Sequence, residues 1–147
     1  MKLAIVDDNK LEQELIFNTL RTYEHERNIS IDISSYSDGN SFLNTYVPGD
    51  FDLIFMDAAK GQYIHFMPDI LRLLKTGGTL VSDNVLQDGD IIESHYAVIR
   101  RNRTIYKRMR EYLYELTHRK DLVTAVLPVG DGITVSTKVE VENDEKE

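Results

Sequence analysis

The sequence predicts an α/β fold: one open, largely parallel sheet with helices on both faces. Three observations predict it. Short strand-like runs recur and end in polar residues: the apolar Leu3-Ala4-Ile5-Val6 and Leu53-Ile54-Phe55-Met56, and Thr79-Leu80-Val81-Ser82. Stretches with helical apolar spacing lie between them. Near the C-terminus, two strand-like stretches flank Gly130-Asp131-Gly132, a spacing that makes a hairpin and so an antiparallel last strand.

Each element has its own signal. Leu3-Ala4-Ile5-Val6 is a buried strand that runs into Asp7-Asp8. Leu11, Leu15, Thr19, Leu20 and Tyr23 recur at helical spacing, which predicts an amphipathic helix over about 9–27. Ile29, Ile31, Ile33 and Tyr36 alternate with polar residues, the pattern of a strand nearer the sheet edge. Ser37-Asp38-Gly39-Asn40 caps a short helix carrying Phe42, Leu43 and Tyr46, which Pro48-Gly49 ends. Ile64, Met67, Ile70, Leu71 and Leu74 form a helical stripe, stopped by Thr76-Gly77-Gly78. Residues 85–94 read as a loop. A long helix over roughly 95–118 follows, with Ile105, Met109, Tyr112, Leu113 and Leu116 as its packing stripe. Residues 122–129 and 132–139 are the hairpin strands.

The chain has 147 residues, enough for one domain around a single core. Hydrophobic content of 41% and charged content of 29% are those of an ordinary soluble protein. No run is long and apolar enough to span a membrane, and the N-terminus reads as a strand rather than a signal peptide. The chain has no cysteine, which excludes disulfides, zinc–thiolate sites and a thiol nucleophile, and fits a cytoplasmic setting. A net charge of −8 argues against nonspecific nucleic-acid binding. Arg100, Arg101 and Arg103 nonetheless crowd one segment; a solvated helix face is the plain reading and an RNA-contacting helix the alternative. Residues 140–147 read as an acidic, disordered tail. Nothing in the sequence fixes an oligomeric state.

In an open α/β sheet the active edge lies at the C-terminal ends of the strands. Asp7, Asp8, Asp57, Asp83 and Asn84 all fall at such ends. Carboxylates gathered there repel one another unless some are protonated or a cation sits among them. Oxygen donors suit Mg²⁺ or another hard divalent cation, so Asp8, Asp57, Asp83 and Asn84 are the candidate ligands. The competing reading makes them turn and cap residues at strand–helix junctions.

Two resemblances overlap at Asp57. Residues 1–57 resemble a response-regulator receiver domain in the strand ending Asp7-Asp8, the long first helix, Ser37-Asp38-Gly39 and Phe51-Asp52-Leu53-Ile54-Phe55-Met56-Asp57. That resemblance implies Mg²⁺ on the acidic pair and Asp57 as phosphoacceptor. The lysine the family carries after its fifth strand is missing, so phosphotransfer is expected to be poor.

From Phe51 onward the chain resembles a catechol/caffeoyl-CoA-type O-methyltransferase. The matching pieces are Asp57-Ala58-Ala59-Lys60-Gly61-Gln62-Tyr63, Gly77-Gly78-Thr79-Leu80-Val81-Ser82-Asp83-Asn84, Arg101-Asn102-Arg103-Thr104 and Leu127-Pro128-Val129-Gly130-Asp131-Gly132. The resemblance implies Asp57, Asp83 and Asn84 as metal ligands and Lys60 as the base beside the acceptor hydroxyl. It also implies a glycine-rich turn for S-adenosylmethionine after the first strand, where this chain has Asp7-Asp8-Asn9-Lys10.

These readings combine into one expectation. The chain is a single Rossmann- or flavodoxin-like domain over 1–147, with strand order 2-1-3-4-6-5. A receiver-like half (1–57) is joined to a methyltransferase-like half (58–139), by engineering or recombination. The chimera keeps an acidic divalent-metal pocket and lacks a complete active site, so it is not expected to be an enzyme or to bind S-adenosylmethionine. The alternatives are a metal-dependent O-methyltransferase using S-adenosylmethionine and a receiver phosphorylated at Asp57.

Overall fold

In a computed structural model, residues 1–6, 9–86 and 103–141 are described. The order is β1 (Lys2–Val6), α1 (Lys10–Arg27), β2 (Asp32–Tyr36), α2 (Gly39–Thr45), β3 (Phe51–Met56), α3 (Tyr63–Leu73), β4 (Leu74–Ser82), α4 (Arg103–His118), β5 (Leu122–Leu127) and β6 (Ile133–Lys138). A 3₁₀ turn at Lys60–Gln62 leads into α3. The α/β class is as the sequence predicts. No helix among the described residues is long and apolar enough to cross a membrane.

The strands form two hydrogen-bonded groups, β1-β2 and β3-β4-β6-β5. Within each, the order and direction match the expectation: β1 and β2 are parallel, β3 and β4 are parallel, and β6 is antiparallel to both β4 and β5. The difference lies at the β1–β3 seam, where the strands are neighbours without a ladder. Side chains take over there. Lys2 pairs with Asp50 at 3.2 Å and lies 4.5 Å from the Tyr46 ring centre. Asp52 bonds Lys75 at 2.9 Å; that bond leads in holding its carboxyl below the usual range, and a bond from the Lys2 backbone adds to it.

Two boundaries and one face depart from the sequence reading. Helix α3 ends at Leu73, and Leu74 already pairs with Phe51. The register then jumps to Leu53↔Thr79, so residues 75–78 bulge from the strand rather than end a helix. Gly77 sits there with φ 81°, a conformation that favours glycine. Strand β2 begins at Asp32, leaving Ile29 outside it. The apolar stripe of α1 is the larger departure: Leu11, Leu15 and Tyr23 face solvent, and α1 has no buried residue. The half-buried positions are Gln13, Phe17, Leu20 and Glu24, a different stripe of the same helix.

The main core lies between α3, α4 and one face of the four-stranded sheet, around Met56, Met67, Leu80, Met109, Tyr112 and Leu116. A second cluster holds Tyr46, Phe51 and Leu73, with Phe42 and Tyr36 against it. Its rings meet edge-on or tilted, as Tyr46 and Phe51 do at 4.7 Å. Lys138 crosses from β6 and donates to the Leu71 and Leu74 carbonyls, which ties the end of α3 to the sheet.

Candidate active site

Parallel pairing brings the site together. Met56 of β3 stands opposite Ser82 of β4, and both strands end there. The next residues are Asp57 and Asp83. Adjacent strands lie about 4.8 Å apart, so the two carboxylates leave the sheet side by side. The Asp83 N–H donates to the Met56 carbonyl at 3.1 Å, extending the pairing one step past the strands.

Tyr63 is the fastener of this edge. It opens α3, is fully buried, and places its hydroxyl 3.1 Å from the Asp83 carbonyl and 3.3 Å from the Met56 carbonyl. The Ala58 N–H and the Lys60 ammonium donate to the same oxygen, at 3.3 and 3.1 Å. The spacing of the motif explains this. A strand end, a short loop and one 3₁₀ turn fold residue 63 back under residue 58. Tyr63 lies in the motif quoted from the sequence, yet its role was missed, because nothing in a sequence marks a tyrosine hydroxyl as a cross-strand tie.

Lys60 also donates to Asp57 at 3.0 Å. Burial pulls the Lys60 pKa down, but its bonds to Tyr63 and Asp57 outweigh that and the net shift is upward. The lysine is therefore held as an ammonium, with the Asp57 side chain still 56% exposed beside it.

The segment after β4 is held by the hairpin turn. Asn84 adopts φ 51°, and its amide nitrogen donates to Asp131 at 3.2 Å, which leaves its amide oxygen as an acceptor. The Val85 and Leu86 N–H groups donate to the Gly132 and Asp131 carbonyls. Gly132, at φ 85°, packs so closely that an added Cβ would lie 2.3 Å from Leu86 Cγ. Asp131 thus belongs to the site's frame, a role that the Gly-Asp-Gly spacing disguised as simple turn chemistry. Beneath the edge, Ser82 and Tyr112 share a buried 2.6 Å hydrogen bond.

Of the residues expected to hold a metal, the fold brings Asp57, Asp83 and Asn84 to one edge. Asp8 lies outside the described residues. Among the described residues, no three His, Asp or Glu side chains converge as a metal-holding group. The set available is two carboxylates and one amide oxygen, a hard-oxygen donor set that fits Mg²⁺ or a similar cation with water or substrate completing the shell. Arg100 and Arg101 also lie outside the described residues. Arg108 and Arg110 of the same basic stretch donate to the Gly61 carbonyl and the Tyr106 hydroxyl, so part of that charge is spent within the molecule.

Comparison with known proteins gives a consistent result. The profile of the family described as O-methyltransferase matches residues 2–139. A caffeoyl-CoA O-methyltransferase of Eucalyptus gunnii is 32% identical over 97 residues, covering 63% of this chain and 38% of that protein. One of Zea mays is 34% identical over 92 residues, covering 62% and 36%. The chain thus spans less than two-fifths of the length of these curated relatives. Among solved structures, a protein of Corynebacterium glutamicum superposes with a TM-score of 0.72 at 20% identity, over 99% of this chain and 63% of that one. The O-methyltransferase TomG of Streptomyces achromogenes, solved with S-adenosylmethionine, gives 0.65 at 18% identity, over 95% and 62%.

Two expectations are overturned by these matches. One family profile runs without a break across Asp57, so the reading of a chimera joined there, with half of each active site missing, is wrong. The receiver-like pattern of residues 1–57 was apolar strands ending in aspartates, which parallel sheets of many functions share. The exclusion of S-adenosylmethionine fails with it. It rested on the missing glycine turn at Asp7-Asp8-Asn9-Lys10, yet the profile includes that segment.

Proposed function

Because this chain belongs to the O-methyltransferase family, we propose that it forms the catalytic core of a metal-dependent O-methyltransferase of the caffeoyl-CoA type, with S-adenosylmethionine as methyl donor. The match over residues 2–139 carries the reading. The side-by-side exit of Asp57 and Asp83 from β3 and β4 supports it.

In this reading Asp57, Asp83 and Asn84 hold a divalent cation. When bound, such a cation lowers the pKa of an acceptor hydroxyl and fixes its orientation. The protein's own residues do the rest. Tyr63 sets the spacing of the two acidic strand ends by bonding to both. Asp131 positions Asn84. Lys60 holds a proton at the mouth of the site and serves as base only after its bond to Asp57 is withdrawn. Val6, Asn9 and Asp38, at the C-terminal ends of β1 and β2, are the residues that would hold the methyl donor. Asn9 and Asp38 already cap α1 and α2 there, so donor polar groups would have to share them.

The test combines the chain with S-adenosylmethionine, Mg²⁺ and a catechol, and looks for methylated catechol by mass spectrometry. Product that disappears on chelation and in Asp83→Asn supports the proposal. Absence of product together with no calorimetric binding of S-adenosylhomocysteine would sink it.

A further inference from the structure

Helix α4 meets the active edge from beneath at two points, one turn apart. Arg108 and Tyr112 are four residues apart, so they share one face of the helix. Arg108 Nη1 donates to the Gly61 carbonyl at 3.1 Å, and Gly61 lies in the 3₁₀ turn that carries Lys60. The turn rests against the same helix: a Cβ at Gly61 would lie 3.5 Å from Arg108 Nη1 and 3.8 Å from Ile105 Cγ1. The Tyr112 hydroxyl is 2.6 Å from Ser82 Oγ, and Ser82 is the last residue of β4, directly before Asp83. The Tyr112 ring also meets the Tyr63 ring edge-on, with centres 5.4 Å apart.

Tyr63 fixes the two acidic strand ends relative to each other. Helix α4 does something different: it fixes the Lys60 turn and the end of β4 relative to the core, in which Met109, Tyr112 and Leu116 are fully buried. The Ser82–Tyr112 bond also has a neighbour that could replace it. Thr134 of β6 stands opposite Ser82 in the ladder. Its hydroxyl is fully buried and has no hydrogen-bond partner among the described residues. Opposite side chains on paired strands have Cβ atoms about 4.5–5.5 Å apart. Loss of the Tyr112 phenol therefore leaves Ser82 with a hydroxyl to bond inside the sheet, while the tie to α4 is gone.

We propose that α4 is a positioning clamp for the site, with Arg108 holding the turn that carries Lys60 and Tyr112 holding the strand end that carries Asp83. The proposal rests on the reading of Asp83 as a metal ligand and Lys60 as the proton-transfer group. Arg108 and Tyr112 act through those neighbours and touch neither substrate nor cofactor. The two halves of the clamp govern different steps. Tyr112 sets where a cation ligand stands, so it governs cation affinity; partners behind metal ligands are worth about 10–100-fold. Arg108 sets how Lys60 meets the acceptor hydroxyl, so it governs the rate at saturation, where a small displacement costs on the order of ten- to a hundredfold.

Titration of the full chain with Mn²⁺ alone separates this clamp from ordinary core packing. The control is Ser136→Ala, which removes a buried hydroxyl bonded to Thr124 at 2.8 Å, further from the edge. Mn²⁺ affinity should fall about tenfold or more in Tyr112→Phe and stay within about twofold in Ser136→Ala and Arg108→Met. In Arg108→Met, kcat should fall about ten- to a hundredfold with KM little changed. Two amides give a readout that needs neither metal nor activity. The Asp83 N–H bonds the Met56 carbonyl at 3.1 Å, and the Gln62 N–H closes its turn on the Ala59 carbonyl at 2.7 Å. Hydrogen exchange in the metal-free chain should quicken at Asp83 in Tyr112→Phe and at Gln62 in Arg108→Met. Unchanged exchange at either amide overturns the clamp. Equal loss of Mn²⁺ affinity in Tyr112→Phe and Ser136→Ala overturns it too, because Tyr112 is then core packing. A wild-type chain that binds no Mn²⁺ removes the metal-dependent reading instead, and the two amides alone then decide whether α4 holds these segments.

Discussion

The Tyr63 hydroxyl lies 3.1 Å from the Asp83 carbonyl, so one phenol on α3 fixes where β4 ends relative to β3. The same oxygen is 3.3 Å from the Met56 carbonyl and receives the Ala58 N–H. The spacing between the two acidic strand ends therefore depends on a residue that is itself neither acid nor base.

Replacing that phenol should cost stability and geometry together. Tyr63→Phe removes the acceptor of the Ala58 N–H and the donor to the Asp83 carbonyl, both part-buried, and is expected to lower the unfolding free energy by about 1–3 kcal/mol. Urea denaturation measures this, and an unchanged midpoint contradicts the role. Divalent-cation affinity should fall in the same variant, because Asp57 and Asp83 lose their common support.

Lys60 should matter to the rate rather than to cofactor binding. Lys60→Met is expected to reduce methyl transfer by about 10²–10⁴-fold, the usual contribution of a proton-transfer group. Its affinity for S-adenosylhomocysteine should be retained. Loss of both together would mean that Lys60 acts by holding the loop in place.

Gly132 has no room for a side chain. With φ 85° and Leu86 Cγ 2.3 Å from an added Cβ, Gly132→Ala should destabilise by about 2–4 kcal/mol. Adding Leu86→Ala should recover the steric part and leave the backbone part. If the double variant is as unstable as the single one, the close approach to Leu86 is not the cause.

Acid should erase one identifiable contribution. The Arg119 hydrogen bonds hold the Asp121 carboxyl below its usual range, against a smaller opposing effect of burial. A depressed folded pKa gives stability that is present above the unfolded value of about 3.9 and is lost as pH falls through the folded value. Asp121→Asn should therefore cost about 0.2–1 kcal/mol at neutral pH, the range of an exposed pair. The gap should close below about pH 4. A gap that persists in acid points to packing instead.

The sequence by itself determined the α/β class, the parallel pairing of β3 with β4, the antiparallel hairpin and the acids at the strand ends. Local signals suffice for these: apolar runs choose strands, glycine turns choose the hairpin, and strand direction sends Asp57 and Asp83 to one edge. It went astray where one local pattern serves several folds, as with Asp7-Asp8, or where a stripe has two possible faces, as on α1. Only the tertiary structure decided that Leu11 and Leu15 face water and that side-chain contacts replace a ladder between β1 and β3. The same holds for the hold of Tyr63, Lys60 and Asp131 on the site. Each of these depends on residues far apart in the chain meeting in space, and on which partner wins a hydrogen bond when several are within reach.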